Sequence, residues 1–553
     1  MQIDLETAPE QGTFESHVCI VGAGIAGLLL ARHLGSHGID THLLEAGGRD
    51  LEPRSQEIYA VQMDGTYYAG ATEGRFRAFG GSSTRWGGQL LAYTPDIFRP
   101  IAGTPSAAWP ITAADLQPYY AEAQRVVYVP HQSSDEELLQ CLGLTEHLGA
   151  NEINVRFSRW IPFSKRNLAK TVGMECLHSR RVTVFMHANV TSIELSKTGG
   201  HVESVVAKNY AGKTYTFRAR HFVLCTGTIE SSRLLLASRT VRPDGIGNET
   251  HNVGRYFHDH VSVAAAAVEG VAKRKFAKLF APRLVSGILH TPKLEAAVPL
   301  RRKKNLLAVM AHFAIEEPEG SGIAGIRNLL QGIQRDQNLE QLGRTILALP
   351  ASSGEIARLL WSAHVHKRRA ISSRATVTLR IDCEQLPKPE NRIRLSAARD
   401  KLGMPQAIVD WRISEDEHRT VRVFAEIVDS FLSRLGICPL AWRPEIWEPG
   451  NSWLHLTRDT YHPIGGTRMG TDPHASVVEP NLKVHGVPNL FVASCSVFPS
   501  GGSSNPTLTL MALTLRLGAH LAALCSPPWT SLLSGSTKAV LPDSQVPAEL
   551  SVD

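Results

Sequence analysis

A histidine and an asparagine near the C-terminal end of the chain lie in segments suited to chemistry. His462 stands in "TYHPIGGTRMG" beside a proline and a glycine pair, and Asn505 precedes Pro506 in a polar glycine loop that leads into a long apolar segment. A helix that begins after an Asn-Pro turn directs its first backbone amides at the loop, where they can stabilise negative charge on a reduced cofactor ring. Because the chain contains 23 histidines, His462 is a candidate only together with its neighbours.

A second chemical signal lies in "HVCIVGAGIAGLLLARHLGSHGIDTHLLEAGG", which predicts a strand, a glycine turn, a helix and a second strand. Gly22, Gly24 and Gly27 have GxGxxG spacing. The first permits a sharp turn, the second lets the backbone approach a pyrophosphate, and the third lets the helix pack closely on the strand. Glu45 ends the second strand, where a carboxylate can bind a ribose 2′-hydroxyl. The segment predicts a dinucleotide site, although glycines that merely close a packed turn would look the same, and it leaves FAD and NAD both open.

Two more glycine segments follow. "FGGSSTRWGGQL" has too many glycines for a regular element and predicts either a loop whose backbone approaches a ligand or an ordinary surface turn. In "HFVLCTGTIESSRLLL" an apolar strand runs through Gly227 into a helix, which indicates that the chain returns to the first sheet. The candidate ligand contacts of the first segment are Gly80, Gly81, Ser82, Ser83, Trp86 and Gly87.

The elements around these segments predict an α/β protein in which a Rossmann-like nucleotide-binding domain is interleaved with an α+β substrate-binding domain. Between residues 261 and 455, strand-like runs such as "ATVTLRIDCEQL" mix with helical runs such as "EDEHRTVRVFAEIVDSFLSRLG", which is typical of a separate lobe. The predicted nucleotide-domain segments are 14–95, 181–260 and 456–525; the substrate-domain segments are 96–180 and 261–455; and residues 526–553, rich in Ser and Pro, form a disordered tail.

Composition excludes several classes of protein. With 553 residues, 43% hydrophobic and 20% charged, the chain can bury a large core. Eight cysteines without a CxxC pair or a zinc-finger histidine argue against a disulfide scaffold or a metal site. The acidic first 16 residues and the absence of a long unbroken apolar run predict no signal peptide and no membrane span, so we expect a cytoplasmic protein.

The charge of the chain names no macromolecular partner. A net charge of +6 is small for this length and does not indicate nucleic-acid binding. Basic clusters at 273–278, 301–304 and 367–369 fit solvated surface, with an anionic substrate or a membrane-surface contact as the alternatives. The expected partners are therefore a small-molecule substrate and, for a redox cofactor, an electron carrier.

Four ordered blocks of the chain resemble the glucose-methanol-choline (GMC) family of FAD-dependent oxidoreductases. They are "LLEAGG", "GGSSTRWGG", "CTGTIESSRLLL", and "HPIGGTRMG" followed by "NPTLT", of which the last pair is the most specific. Two lesser matches, "GRYFHDH" and "CEQLPKPENRIRLS", resemble connecting pieces of the bacterial sugar-oxidising, pyranose-oxidase-like branch. The resemblance implies FAD rather than NAD, and it adds Ser494, Pro506 and Thr507 to the expected cofactor contacts.

The resemblance also implies a reaction. Members of the family oxidise alcohols, so His462 is expected to take the hydroxyl proton and Asn505 to donate a hydrogen bond to the developing alkoxide while hydride leaves. The branch suggests a secondary hydroxyl of a sugar or glycosylated metabolite as the substrate. The choice between oxygen and a quinone or other carrier as electron acceptor, and hence between oxidase and dehydrogenase, stays open.

Two positions depart from the family pattern. Arg85 occupies the place where pyranose-oxidising members have a histidine bonded to the flavin, so a dissociable FAD is expected. Ser494 stands in "VASCS" where the family often has an aspartate, which leaves the ribityl contacts undefined. The alternatives to alcohol oxidation are a redox-neutral lyase or decarboxylase of the same fold, an amine-oxidising flavoenzyme, and a flavin-binding protein without turnover.

Overall fold

The computed structural model describes residues 1–8, 12–101, 107–129, 134–148, 151–269, 272–335, 353–372 and 374–525. The predicted disordered tail at 526–553 lies outside the described residues.

Strands and helices are interspersed along the described residues. The strands are β1 (Gln2–Asp4), β2 (Gly12–Val21), β3 (Thr41–Leu44), β4 (Val61–Gly65), β5 (Gln89–Leu90), β6 (Ile153–Trp160), β7 (Val182–Met186), β8 (Asn189–Leu195), β9 (Val202–Lys208), β10 (Thr214–Leu224), β11 (His260–Val268), β12 (Arg283–Val285), β13 (Ile288–Ala296), β14 (Val309–Glu316), β15 (Thr376–Glu384), β16 (Arg392–Arg399), β17 (Pro405–Trp411), β18 (Leu440–Trp442), β19 (Thr457–Arg458) and β20 (Leu490–Val492). The helices are α1 (Ile25–Ser36), α2 (Pro53–Gln56), α3 (Ala113–Val126), α4 (Asp135–Cys141), α5 (Thr145–Leu148), α6 (Phe163–Arg166), α7 (Val172–His178), α8 (Gly227–Ala237), α9 (Ala272–Phe280), α10 (Val298–Lys304), α11 (Gly322–Gln334), α12 (Ser353–His366), α13 (Glu415–Arg434) and α14 (Thr507–Cys525).

The first sheet holds the glycine turns. Its strand order is β1-β7-β3-β2-β10-β9-β8, with β20 paired to β10. Within this order the five strands β1, β7, β3, β2 and β10 pair in parallel, and the apolar residues Val18–Val21 of β2 are buried there. Because β2 and β10 are parallel neighbours, the turns that follow them meet at the same edge of the sheet. The predicted return of the chain to its first sheet is confirmed.

The helices that cover this sheet come from distant parts of the sequence. The C-terminal helix α14 packs against both α1 and α3, and α7 packs against α1. Helices α3 and α7 fall in the segment 96–180 that is predicted to belong to the substrate domain, and the described contacts place α3 on α14, and α7 on α1 and β7. Helix α14 is long and apolar enough to cross a membrane by length and composition, but just over half of its most apolar stretch is buried, as in the core helix of a globular protein.

A second, nine-stranded sheet forms most of the other lobe. Its order is β18-β11-β15-β14-β13-β6-β5, with β12 on β13 and β19 on β11, and its described pairs are antiparallel. Helix α13 packs on one face of this sheet, and β16, β17 and β4 form a small third sheet. The predicted strand and helix of the 261–455 lobe are β15 and α13. Together the two large sheets give the interleaved α/β and α+β architecture expected from the sequence.

Candidate active site

A cleft of about 630 Å³ lies at the edge of the first sheet where the glycine turns meet. It brings together residues from both ends of the chain. Thirteen predicted site residues form part of its wall: Gly22, Gly24, Glu45, Gly81, Ser82, Trp86, Gly87, Gly227, His462, Ser494, Asn505, Pro506 and Thr507.

Three predicted residues, Gly27, Gly80 and Ser83, are not part of this wall. A side chain at Gly27 would overlap the carbonyl oxygen of Gly22, so this glycine lets α1 pack on the turn, as its spacing predicts. Gly80 has φ of 95°, and the Ser83 hydroxyl donates to its carbonyl oxygen at 2.6 Å. Because these bonds lie within the loop, Gly80 and Ser83 shape it instead of facing the cleft.

The turn after β2 fits the phosphates of a dinucleotide. Gly24 is the N-cap of α1 and offers no side-chain bond to the first amides of the helix. A Cβ atom at Gly24 would meet no protein atom within 4 Å, so the backbone there faces open space in the cleft. Free amides at a helix N-terminus, without a side chain to cover them, are the donors that a pyrophosphate needs.

Glu45 lies beside this turn with 5% of its surface exposed. Its carboxylate accepts the backbone N–H groups of Ala23 at 3.1 Å and Gly47 at 2.9 Å, while burial raises its pKa. Each carboxylate oxygen can accept more than one hydrogen bond, so a ribose hydroxyl can still bind there. The residues present therefore fit the adenosine half of FAD.

A charged cluster in the same wall was not predicted from the sequence. Glu230, on α8, pairs with Arg75 at 3.0 Å and with Arg233 at 3.0 Å. Although burial opposes ionisation, these guanidinium groups together with Arg77 hold the pKa of Glu230 at about 2. Arg75, Arg77 and Glu230 line the cleft. Glu230 lies in the "CTGTIESSRLLL" segment, but Arg75 and Arg77 lie in none of the motifs, and the three meet because α8 folds onto the segment after β4.

At the other end of the cleft, His462 contacts residues of three different segments. Its Nε2 lies 3.1 Å from the Asn505 side-chain nitrogen. Its Nδ1 lies 2.7 Å from the Thr460 hydroxyl and 3.1 Å from Nδ1 of His260. Its backbone N–H donates to Asp259 at 2.8 Å. The structure thus brings His462 and Asn505 together and adds three partners that the sequence did not assign to the site.

Hydrogen bonds through His260 determine which nitrogen of His462 carries the proton. The Gly501 carbonyl only accepts, so Nε2 of His260, at 3.3 Å, donates to it. Burial lowers the pKa of His260, and the neutral ring then has its lone pair on Nδ1. Nδ1 of His462 must donate to that lone pair, which leaves Nε2 of His462 as the acceptor, facing Asn505.

A second path reaches the same tautomer through Asp259. The Thr460 hydroxyl donates to Asp259 at 2.6 Å and can therefore only accept from Nδ1 of His462, whose single N–H is shared between Thr460 at 2.7 Å and His260 at 3.1 Å. Asp259 is 1% exposed and also accepts from the Tyr68 hydroxyl at 2.7 Å and the His260 backbone at 2.6 Å. The chain Asp259, Thr460, His462 holds Nε2 ready to accept a proton and places a carboxylate where the resulting imidazolium needs one.

Burial dominates the ionisation of these groups. It lowers the pKa of His462 to about 3, with a further contribution from the neighbouring His260, and it raises the pKa of Asp259 to about 6. His462 is therefore a neutral imidazole over the physiological range. Ligand atoms of Asp259, His260 and His462 also lie within 4.8 Å of one another, but the bonds described above already use these atoms, and we interpret the cluster as a proton relay.

Comparisons with known protein families match both halves of this site. Residues 15–246 match an FAD binding domain, and residues 387–514 match the GMC oxidoreductase model. The first match contains the glycine turns, and the second contains His462 and Asn505.

Curated relatives align over most of the chain. A paromamine 6′-oxidase from Streptomyces fradiae is 25% identical, with 90% of each chain covered. A fructose dehydrogenase large subunit from Gluconobacter japonicus is 23% identical, with 91% of this chain and 97% of the relative covered. A C-glycoside 3-oxidase from Microbacterium trichothecenolyticum is 40% identical over 128 residues, which is 22% of each chain.

Solved structures share the fold. A formate oxidase crystal structure aligns with a TM-score of 0.58 and 14% identity, covering 94% of this chain and 99% of the other. A pyridoxine 4-oxidase from Mesorbium loti aligns with a TM-score of 0.53 and 17% identity, covering 91% and 99%. At these identities the likeness extends to the fold alone.

Proposed function

Because this chain belongs to the GMC family of FAD-dependent oxidoreductases, we propose that His462 is the base with which it oxidises an alcohol on a sugar or glycosylated metabolite. The observation that carries the assignment is the lone pair on Nε2 of His462 at the end of the cleft, which accepts from the Asn505 amide and which a substrate hydroxyl can take over. One acceptor and one donor at the same point are what an alcohol needs as it becomes a carbonyl.

His462 and Asn505 have different roles toward the substrate. An alcohol loses a proton from oxygen and a hydride from carbon, and FAD supplies the hydride acceptor when it is bound. Nε2 of His462 takes the hydroxyl proton, and the Asn505 amide donates to the oxygen as negative charge develops there. Thr460 and Asp259 then stabilise the proton on the imidazole through Nδ1. This support matters because burial alone makes His462 a weak base.

Replacing Thr460 with valine is expected to slow flavin reduction about tenfold to a hundredfold, since a hydrogen bond to a charged group contributes about 1.5 to 3 kcal/mol. Valine keeps the shape of threonine but removes the hydroxyl between Asp259 and His462. Thr460→Ser restores the hydroxyl and should react at close to the wild-type rate in the same anaerobic stopped-flow experiment. Equal rates for the valine and serine variants would contradict the relay.

The rate of flavin reduction should rise with pH through an apparent pKa near 6, the value to which burial raises Asp259. Asp259 loses its proton above that pH and becomes the better acceptor for Thr460, while His462, with its pKa of about 3, stays neutral throughout. Asp259→Asn should flatten the profile between pH 5 and pH 7. Asp459 provides the control because burial and Asp259 raise its pKa to about 6 as well, but it binds the backbone of Ala69 and Gly70. A profile flattened by Asp459→Asn and not by Asp259→Asn would contradict this assignment.

FAD is bound without a covalent link in this proposal. Arg85 lines the cleft at the position of the flavin-linking histidine, and a guanidinium does not form that bond. Its guanidinium lies over the Phe76 ring, 5.6 Å from the ring centroid. Acid precipitation of the purified holoenzyme should leave all the flavin in the supernatant. A yellow pellet, or a fluorescent band on a denaturing gel, would contradict the expectation.

The named relatives act on paromamine, fructose and C-glycosides, which supports a sugar or glycosylated metabolite as the substrate. The 3-position named for the C-glycoside oxidase carries a secondary hydroxyl, whereas the 6′ position named for the paromamine oxidase carries a primary one. We assign a secondary hydroxyl of a sugar or glycosylated metabolite, with oxygen, a quinone or another carrier as electron acceptor.

A cytoplasmic location is supported by the eight cysteines, all of them in the described ranges and all free.

An anaerobic screen of sugars and glycosides, followed at the flavin absorbance band, tests the function. Substrate turnover without bleaching would favour the redox-neutral alternatives, and bleaching by amines alone would favour amine oxidation.

A further inference from the structure

A second cavity of about 180 Å³ adjoins His462 and Asn505, and one face of the nine-stranded sheet forms its floor. Neighbouring strands contribute one polar residue each: Lys293 from β13, His312 from β14 and Asp382 from β15. The register pairs Leu294 with Ala311 and Met310 with Asp382. Because side chains alternate between the two faces of a strand, Lys293, His312 and Asp382 lie on the same face of the sheet, the face that forms the cavity floor. The proton relay uses none of these three residues.

Lys293 is the most unusual of them. Only 4% of its surface is exposed, and burial lowers its pKa. Asp382 is the carboxylate whose charge favours the protonated form of Lys293, and no ion pair or hydrogen bond of the Lys293 ammonium is found among the described residues. A buried ammonium is costly unless its donors are bonded. Because Lys293 forms part of the cavity wall, a ligand in the cavity is the natural acceptor for those donors.

Asp382 provides a hydrogen-bond acceptor in the same wall. One of its carboxylate oxygens lies 2.9 Å from Nδ1 of His312, and 14% of its side chain remains exposed. Although burial opposes ionisation, His312 and Lys293 together hold the pKa of Asp382 well below its usual range, so it is an acceptor at any working pH. The cavity therefore presents an ammonium donor and a carboxylate acceptor together.

This pair selects a particular ligand chemistry. Arg458 and Asp459 also line the cavity, so its wall holds two cationic and two acidic side chains. An anionic group would be attracted by Lys293 and Arg458 but repelled by Asp382 and Asp459, and a cationic group would be repelled by the first pair and attracted by the second. A hydroxyl satisfies both, because its oxygen accepts from the ammonium while its hydrogen is donated to the carboxylate. Since the cavity shares His462 and Asn505 with the main cleft, a hydroxyl bound there belongs to a carbon close to the one being oxidised.

We propose that Lys293 and Asp382 bind the hydroxyl next to the reacting one, so that the enzyme selects neutral vicinal diols over substrates that are deoxygenated, aminated or acidic at that neighbouring carbon. The proposal rests on the proposed function and names its substrate class. It makes Lys293 and Asp382 residues that determine specificity and leaves proton removal to His462.

The test compares Lys293→Met and Asp382→Asn with the wild-type holoenzyme in anaerobic flavin reduction. The probes are D-glucose and its 1,5-anhydro, 2-deoxy, 3-deoxy and 4-deoxy analogues. One analogue lacks the reacting hydroxyl and is inert, and those that lack a neighbouring hydroxyl are diagnostic. The wild type should prefer glucose over one neighbouring-deoxy analogue by about a hundredfold in kcat/KM, because that analogue leaves buried polar groups unpaired. Each variant should lose most of this preference by reacting slowly with glucose and about as fast as wild type with that analogue.

Other outcomes separate this proposal from the function on which it rests. Lys293 also lowers the pKa of His462, so a change acting through the base would slow glucose and every analogue equally, and that result would overturn the diol proposal while leaving alcohol oxidation intact. An unchanged preference would also overturn it. Bleaching of the wild type by no sugar would overturn both proposals. Flavin absorbance and thermal melting verify folding, and Lys303→Met, at an exposed position on α10, is the matched control and should behave as wild type.

Discussion

Replacing His462 with alanine is expected to slow reduction of the bound flavin by about two to four orders of magnitude, the usual contribution of a positioned acid or base. The loss follows from geometry, because Nε2 of His462 carries the lone pair that faces Asn505. Anaerobic stopped-flow mixing with the best sugar of the screen measures the rate directly, since product release and reoxidation do not enter it.

A second variant, at His290, tests whether the loss of any buried histidine side chain slows flavin reduction. His290 is 1% exposed on β13, bonds through Nδ1 to the Ile288 carbonyl at 2.9 Å, and lines neither cavity. His290→Ala should reduce its flavin at close to the wild-type rate. The assignment of His462 fails if its alanine variant does the same, or if both variants slow equally.

Replacing Gly24 with valine is expected to weaken FAD binding about a hundredfold while the fold remains. The Cβ atom at this position would meet no protein atom within 4 Å, so the new side chain projects into the cleft beside the first amides of α1. Forcing extra methyl groups into a fitted contact costs about 3 kcal/mol, which weakens FAD binding about a hundredfold. The ratio of flavin absorbance to protein absorbance after purification measures the loss.

Gly354 on α12 provides the control for Gly24. A Cβ atom there also meets nothing within 4 Å, but the residue is exposed and lies outside both cavities. Gly354→Val should purify yellow, with the wild-type flavin content. If Gly24→Val retained its flavin, the pyrophosphate would not lie at the turn after β2, and the adenosine half of the site would need to be placed elsewhere.

The sequence predicted the glycine turns well because each of them is local. The spacing of Gly22, Gly24 and Gly27 specifies backbone conformation within a few residues, and the apolar strand before it predicts a buried parallel sheet. The same holds for Asn505 and Pro506, whose turn starts α14. Features of this kind need no knowledge of what packs against them.

The proton relay could not be predicted because its members are distant along the chain. Asp259 and His260 belong to "GRYFHDH", a segment that resembled a connecting piece, and they reach His462 only because β11 lies beside β19 in the second sheet. Neither the order of that sheet nor the tautomer of His462 follows from spacing. The floor formed by Lys293 and Asp382 depends on the same antiparallel register.

The packing partners of the helices could not be predicted from the sequence either. The sequence predicts a helix in the segment of α3 but not the element that it packs against. Residues 96–180 are predicted to belong to the substrate domain, and within them α3 packs on α14 and α7 packs on α1. The boundaries of the interleaved segments stay a prediction, which limited proteolysis of the holoenzyme can refine.

The most direct measurement is the absorbance of the purified protein in the flavin band before and after anaerobic addition of sugar. We predict a yellow protein that loses this band on mixing with a vicinal-diol sugar and regains it with an electron acceptor, while a carbonyl product accumulates in proportion to the flavin reduced. Protein that is colourless and stays so when supplied with FAD, or bound flavin that no alcohol bleaches, would contradict the central claim.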